Sequence, residues 1–187
     1  DWVENVVVPT GNCGNILAAY YAKNMGIKIG KLICASNENK VLFDFFETGV
    51  YDKNREFILT ISPSMDILIS SNLERLIYLI AECDSEKNAT LMKALKEQGV
   101  YELDENMKSN LTDFAAGYAT EAEVKEKIAE VYAKTGYVMD THTAVAAFVA
   151  DRYRKNTGDN KKTVVASTAS PYKFVKSVMT AIDTKYE

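Results

Sequence analysis

The feature that most constrains this chain is a strand–turn–helix unit that occurs twice in its first fifty residues. Val6–Val8 is a short, continuous β-branched run, which reads as a buried strand. It ends at Pro9, the turn TGNCGN follows, and Asn15 to Met25 then reads as a helix with Gly26 just past its end. Lys31 to Ala35 (KLICA) reads as a second strand. Asn39 to Thr48 reads as a second helix, with Val41, Leu42, Phe45 and Phe46 on one face and Gly49 as its stop. Short connections in this order imply strands that run parallel, with the helices packed on the sheet. The expected class is therefore α/β.

Beyond this point helices dominate. Ser71 to Cys83 is expected to be helical, with Leu73, Leu76, Ile77 and Ile80 as its buried stripe. Ser85 to Gln98 should form another helix, capped by Ser85 and closed by Gly99. Glu121 to Thr135 and Thr141 to Asn156 should follow, the first with a solvated charged face and the second, rich in Ala and Val, well buried. Thr163 to Ala166 reads as a third strand, and Ser170 opens a turn and a terminal helix. Tyr51 to Ser64 and Glu105 to Tyr118 have no clear period. Three strands are too few for a complete sheet under so many helices. Either short or antiparallel strands escape the pattern, or residues outside the chain supply the rest.

Composition narrows the function. A chain of 187 residues suggests one domain, and 47% hydrophobic with 26% charged residues is usual for a globular protein. A net charge of −4 argues against nucleic acid or a membrane surface as the main partner. No apolar run is long enough to span a bilayer, and no signal peptide is visible. Three scattered cysteines without CxxC fit reduced thiols and a cytoplasmic location. The lone His142 and the lack of a His/Cys cluster speak against a metal site.

Three polar turns are the candidate sites. Gly11-Asn12-Cys13-Gly14-Asn15 joins a strand to a helix, and successive N–H groups there can cradle an anion. It is neither GxGxxG nor a Walker loop, so a plain turn with Asn caps stays open. Ser167-Thr168-Ala169-Ser170-Pro171 follows the third strand, where open α/β sheets bind ligands. It also reads as a helix start, with Ser170 capping and Pro171 in the first turn. Asp140-Thr141-His142-Thr143 opens the Ala-rich helix, with Asp140 or Thr141 as the cap. His142 either faces a site or is a satisfied structural histidine. Asn37, Asn39, Ser64 and Asp66 lie in further loops, where ligand contact and turn shaping are both open. No nucleophile–base set and no carboxylate pair stands out.

The ordered set VPTGNCGNILAAYYAK, GKLICASNENKVLFDFFETGVY, SPSMDILISSNLERLIY, DTHTAVA and STASPYKF resembles threonine synthase. The resemblance runs from about Val6 to Phe174. It implies part of the three-layer, parallel-sheet domain of the tryptophan-synthase-β-like, fold type II pyridoxal-phosphate enzymes. It implies the conversion of O-phospho-L-homoserine and water to L-threonine and phosphate. By resemblance, Gly11, Asn12, Cys13, Gly14 and Asn15 hold the cofactor's phosphate, and Thr168 lies beside its pyridine nitrogen. His142, Asn37, Asn39, Ser64 and Asp66 match positions near the site.

The sequence departs from the family at three places. Cys13 stands where Phe is usual, and Thr141 where Pro is usual. The Ser-Phe-Lys-Asp-type motif that carries the family's Schiff-base lysine is absent, and Lys173 in PYKF is a different position. With an opening Asp1-Trp2 and no Met, the chain is expected to be the C-terminal part of the large domain, 1–187 as one unit. On that reading it is inactive alone and exposes apolar surface where the N-terminal part packs, a surface that self-association could cover. The alternative is a free-standing module that binds a small phosphorylated molecule without catalysis.

Overall fold

A computed structural model describes residues 4–186. The first strand, β1 (Glu4–Pro9), leads through the glycine turn into α1 (Gly14–Asn24). Next come β2 (Ile29–Ser36), α2 (Val41–Thr48) and the short β3 (Val50–Asp52). After an irregular stretch and a single 3-10 turn at Pro63–Met65, α3 (Leu73–Ile80) and α4 (Ser85–Gln98) follow. The chain continues through β4 (Val100–Glu102), α5 (Glu105–Ser109), β5 (Phe114–Tyr118), α6 (Glu121–Thr135) and α7 (Thr141–Thr157). It closes with β6 (Thr163–Val165), a 3-10 turn at Pro171–Phe174, and α8 (Val175–Ile182).

The main sheet has four strands in the order β5-β2-β1-β6, and every pairing in it is parallel. Alternation along the strands divides the core into two layers. Val8, Leu32 and Cys34 point to one side, where they meet Ile16, Phe45, Leu76, Ile77 and Tyr101 from the helices and from the β3–β4 pair. Val7, Ile33 and Ala35 point to the other side, against Val124, Ile128, Val145 and Val149 of α6 and α7 and Val178 of α8. The architecture is thus helix-rich α/β with a sheet between two helical layers.

Further strands do lie within the described residues. β3 and β4 form a separate antiparallel pair, and β5 lies in the stretch without a clear period. Its sequence, FAAGY, has little intrinsic strand preference, because Ala and Gly are poor strand formers. Pairing with β2 and close packing under α7 make it a strand: a Cβ on Gly117 would sit 2.7 Å from Val149 Cγ1.

Several boundaries also differ from expectation. The cap of α4 is Asp84, not Ser85, and its carboxylate accepts from the N–H groups of Glu86 and Lys87 at 3.0 Å. α2 starts at Val41 because Lys40 adopts a left-handed conformation, φ 35°. α3 keeps the expected stripe from Leu73 to Ile80 but is shorter than the expected range Ser71 to Cys83, whose last two residues, Glu82 and Cys83, have positive φ. On α6 one charge of the run is not solvated. Lys127 is buried and pairs with Glu130 and Asp151.

Candidate active site: a donor-lined cradle at the carboxyl ends of β1 and β6

β1 and β6 are neighbours in the sheet, and both end at the same edge of it. A cavity of about 300 Å³ opens there, lined by Thr10 to Asn15, Ser64, Met65, Asn72, His142, Thr168 and Ala169. This is where parallel sheets place ligands, because chain reversals leave a crevice beyond the strand ends.

The turn after β1 is built to expose backbone N–H groups. Cys13, the residue before α1, has φ 62° and ψ 5°, and no side chain caps the helix. The first helical bond is from Leu17 N–H to Cys13 carbonyl, at 3.1 Å. Among the described residues, the N–H groups of 11 to 16 have no protein acceptor. Left-handed geometry followed by a helix start forms a concave nest, and the helix dipole adds positive potential. Cys13 contributes through its backbone. Its side chain is buried in the core, and burial, reinforced by nearby Cys34, pushes its thiol pKa well above the ordinary value.

Two asparagine amides add donors. Asn12 Oδ1 accepts from the Ser71 hydroxyl at 2.9 Å and from Asn72 N–H at 3.4 Å. Asn72 Oδ1 accepts from Arg75 Nη2 at 2.6 Å. With both oxygens taken, the free capacity of each amide is its NH2 group. The cavity lining holds no Asp or Glu. Its chemistry is that of an anion site.

Gly11 brings a second loop against this turn. A Cβ at Gly11 would meet Met65 Cα at 2.9 Å and Ser64 carbonyl O at 3.0 Å, so only glycine allows the two backbones to meet. The loop is fixed from both ends. On one side, Asp66 Oδ1 accepts from Asn37 (2.7 Å), Asn39 (3.0 Å) and the Thr60 hydroxyl (2.8 Å), while Thr60 N–H donates to Oδ2 at 2.8 Å. On the other side, Ser64 N–H donates to His142 Nε2 at 3.2 Å. That bond makes Nε2 the acceptor, so the proton of a neutral ring sits on Nδ1, 3.3 Å from Asp140 Oδ1. The ring itself tilts against Phe174, centroids 4.8 Å apart.

Asp140 caps α7 by accepting from the N–H groups of His142 (2.8 Å) and Thr143 (3.2 Å), and it also takes the Thr143 hydroxyl. Burial opposes its ionisation. The His142, Thr143 and backbone hydrogen bonds outweigh that and hold its carboxyl below the ordinary range.

The structure thus brings Gly11 to Asn15, Ser64, His142 and Thr168 to one cavity. Asn37, Asn39 and Asp66 are not in its lining; they bond to one another behind the Gly11 turn. Pattern reads Ser70-Ser71-Asn72 as loop and helix cap, which leaves Ser71 and Asn72 out of the site. The pairing of Asn12 with residues fifty-nine and sixty positions on leaves no local trace.

Known proteins resemble the chain in sequence and in fold. Residues 143–187 match the family model described as threonine synthase, C-terminal. Threonine synthase-like 1 of Macaca fascicularis is 45% identical over 97% of this chain and 24% of its own length. Threonine synthase of Saccharomyces cerevisiae is 36% identical over 94% of this chain and 37% of its own. The pyridoxal-phosphate-bound threonine synthase of Brucella melitensis superposes with a TM-score of 0.89 at 38% identity, over 96% of this chain and 38% of that one.

Over nearly its whole length this chain is similar to part of threonine synthase and of threonine synthase-like 1. It spans about a quarter of the length of threonine synthase-like 1 and under two fifths of the yeast and Brucella enzymes. In this chain the Gly11–Asn15 turn and the turn at Thr168 and Ala169 are found at one cavity, and no helix among the described residues is long and apolar enough to cross a membrane.

Proposed function

We propose that this chain supplies the cofactor-phosphate half of a pyridoxal-phosphate enzyme that converts O-phospho-L-homoserine and water to L-threonine and phosphate. The observation that carries the reading is the donor-rich cradle: free N–H groups of residues 11 to 16, two amide NH2 groups whose oxygens are engaged elsewhere, and no carboxylate in the lining. A phosphate monoester carries about two negative charges and several acceptor oxygens, which such a site matches without a metal or a lysine. When bound, the cofactor supplies an electron sink for carbanions formed on the substrate.

The chain's own residues then have distinct tasks. Gly11 to Asn15 bind the phosphate through backbone N–H groups, with the Asn12 amide as a further donor. Thr168, exposed at the cavity wall, would offer a neutral hydroxyl to the cofactor's pyridine nitrogen. His142 works through Ser64: it keeps its proton on Nδ1 toward Asp140 and holds the 62–66 loop by its Nε2 lone pair. Asn37, Asn39 and Asp66 anchor the other end of that loop. The lysine that tethers the cofactor comes from residues outside 1–187, and 1–187 is one unit, the C-terminal part of the large cofactor-binding domain, in a cytoplasmic setting. The isolated chain is inactive.

The decisive experiment uses the full-length protein. Phosphate and threonine release from O-phospho-L-homoserine, and a borohydride-fixed pyridoxyl group on one lysine outside this chain, are the expected results. An adduct on a lysine within 1–187, together with activity of the isolated chain, defeats the division of labour. A second reading is favoured by the higher identity to threonine synthase-like 1 than to yeast threonine synthase. On it the cradle and cofactor are retained but a different phosphorylated hydroxy-amino acid is the substrate. Turnover of such a compound in preference to O-phospho-L-homoserine selects it.

A further inference from the structure

Asn72 and Arg75 belong to no turn that pattern reading marks as a site, yet Asn72 lines the cavity beside Gly14. A Cβ on Gly14 would lie 3.2 Å from Asn72 Nδ2, so the amide nitrogen looks onto the start of α1. The amide oxygen is turned away, toward Arg75 Nη2 at 2.6 Å. A guanidinium has only donors, so it can bond the oxygen of the amide and never the nitrogen. Arg75 therefore fixes which end of Asn72 faces the cradle. Arg75 is itself exposed, and among the described residues no carboxylate pairs with it. The neighbouring Glu74 is engaged by Asn88 at 3.5 Å. Nothing competes for the fork that holds Asn72.

We infer that Asn72 is a side-chain donor to the phosphate group bound in the cradle, and that Arg75 is the positioning residue that keeps its NH2 group aimed there. The inference rests on the cofactor reading proposed above. It adds a ligand from the start of α3, more than fifty residues from the glycine turn, together with the residue that orients it. It also explains why an asparagine with helical φ and ψ (−77°, −14°) precedes α3 without capping it. Its side chain is committed across the cavity rather than to its own helix.

The test is equilibrium binding of pyridoxine phosphate to the full-length protein, with pyridoxine as the form without phosphate. Pyridoxine phosphate lacks the aldehyde, so binding reads the cradle without the tethering lysine or turnover. Asn72→Ala and Arg75→Ala are each expected to weaken pyridoxine phosphate by roughly tenfold, the scale of one hydrogen bond to a charged group, and to leave pyridoxine unchanged. Because Arg75 acts through Asn72, Arg75→Ala added to Asn72→Ala should cost less than about twofold more. Arg75→Gln, a neutral donor, should recover part of the loss. The Arg75→Ala effect should change little with salt, as expected for a positioned hydrogen bond and not for a distant charge.

Additive effects of the two alanines, or a loss that vanishes at high salt and is not recovered by Arg75→Gln, overturn the inference and leave the cradle reading standing. Equal affinity of the unaltered protein for pyridoxine phosphate and pyridoxine overturns both. Should Asn72→Ala not fold, the Arg75→Ala and Arg75→Gln comparison with its salt dependence decides the matter. Arg75 is on the surface, and its replacement does not disturb the core.

Discussion

At the scale of the residue, burial decides what each reactive group can do. Cys13 and Cys34 are 1% and 0% exposed, and burial pushes the Cys34 thiol up to about 12. Cys83 is exposed. Titration with a thiol reagent at neutral pH is expected to modify Cys83 fast and the other two only on unfolding; fast labelling of Cys13 would show that the turn opens in solution. Cys13 is thus neither a nucleophile nor a ligand through sulfur. Its side chain packs in the core, while its left-handed backbone shapes the turn.

Asp140 gives a pH dependence with a definite sign. Its carboxyl titrates below the ordinary range in the folded protein, so it contributes stability above the unfolded-state pKa. That contribution is lost as pH falls through the lower folded-state value. Asp140→Asn keeps a good cap but loses the charge beside the His142 and Thr143 donors. It is expected to cost about 1–3 kcal/mol at neutral pH, with the difference from the parent shrinking in acid. A denaturant series at neutral and acid pH measures this, and a difference that grows in acid contradicts it.

At the scale of the element, two glycines mark close approaches that length and hydrophobic period do not reveal. A Cβ on Gly11 would have backbone atoms of Met65 and Ser64 at 2.9 and 3.0 Å, so Gly11→Ala must displace the 62–66 loop. We expect loss of pyridoxine phosphate binding and about 1–3 kcal/mol of destabilisation, read by binding and thermal melting. At Gly117 the obstacle is Val149 Cγ1, 2.7 Å away, on a buried and stiff side chain. Gly117→Ala is expected to cost a similar ~1–3 kcal/mol by lifting α7 from β5, yet to leave phosphate binding within about twofold, since neither residue lines the cradle. Equal effects of both changes on binding would show that the cavity depends on the whole sheet rather than on the loop contact.

The same elements show what was legible. β1, α1, β2 and α2 were readable because their apolar residues keep a local period and glycines or prolines stop them. β5 was not, because FAAGY gains its strand conformation from β2 and α7. Asp84 displaced Ser85 as a cap because a carboxylate reached two N–H groups. That choice among adjacent polar residues depends on backbone geometry.

At the scale of the whole molecule, the sheet has an interior and two edges. β2 and β1 are paired on both sides, with Val7, Leu32 and Ile33 wholly buried, whereas β6 is a three-residue edge strand with Val164 44% exposed. Hydrogen exchange is expected to be slowest in β2 and β1 and much faster in β6. Protection of β6 equal to that of β1 would mean that a further strand covers it in solution. Leu59, Tyr172 and Val175 are also exposed, at 81%, 87% and 51%. Of the exposed apolar residues, Val164 lies on the β6 edge itself.

The sequence alone determined the α/β class, the parallel order of the first strands and the Gly-Asn and TASP turns, since each depends on local period, backbone freedom or residues close in the chain. Only the tertiary structure decided that these turns share one cavity, that His142 serves Ser64, that Asn37, Asn39 and Asp66 bond behind it, and that Asn72 reaches into it. Those are contacts between distant segments. Their partners are chosen by how helices and loops pack on the sheet, and no short stretch of sequence records that choice.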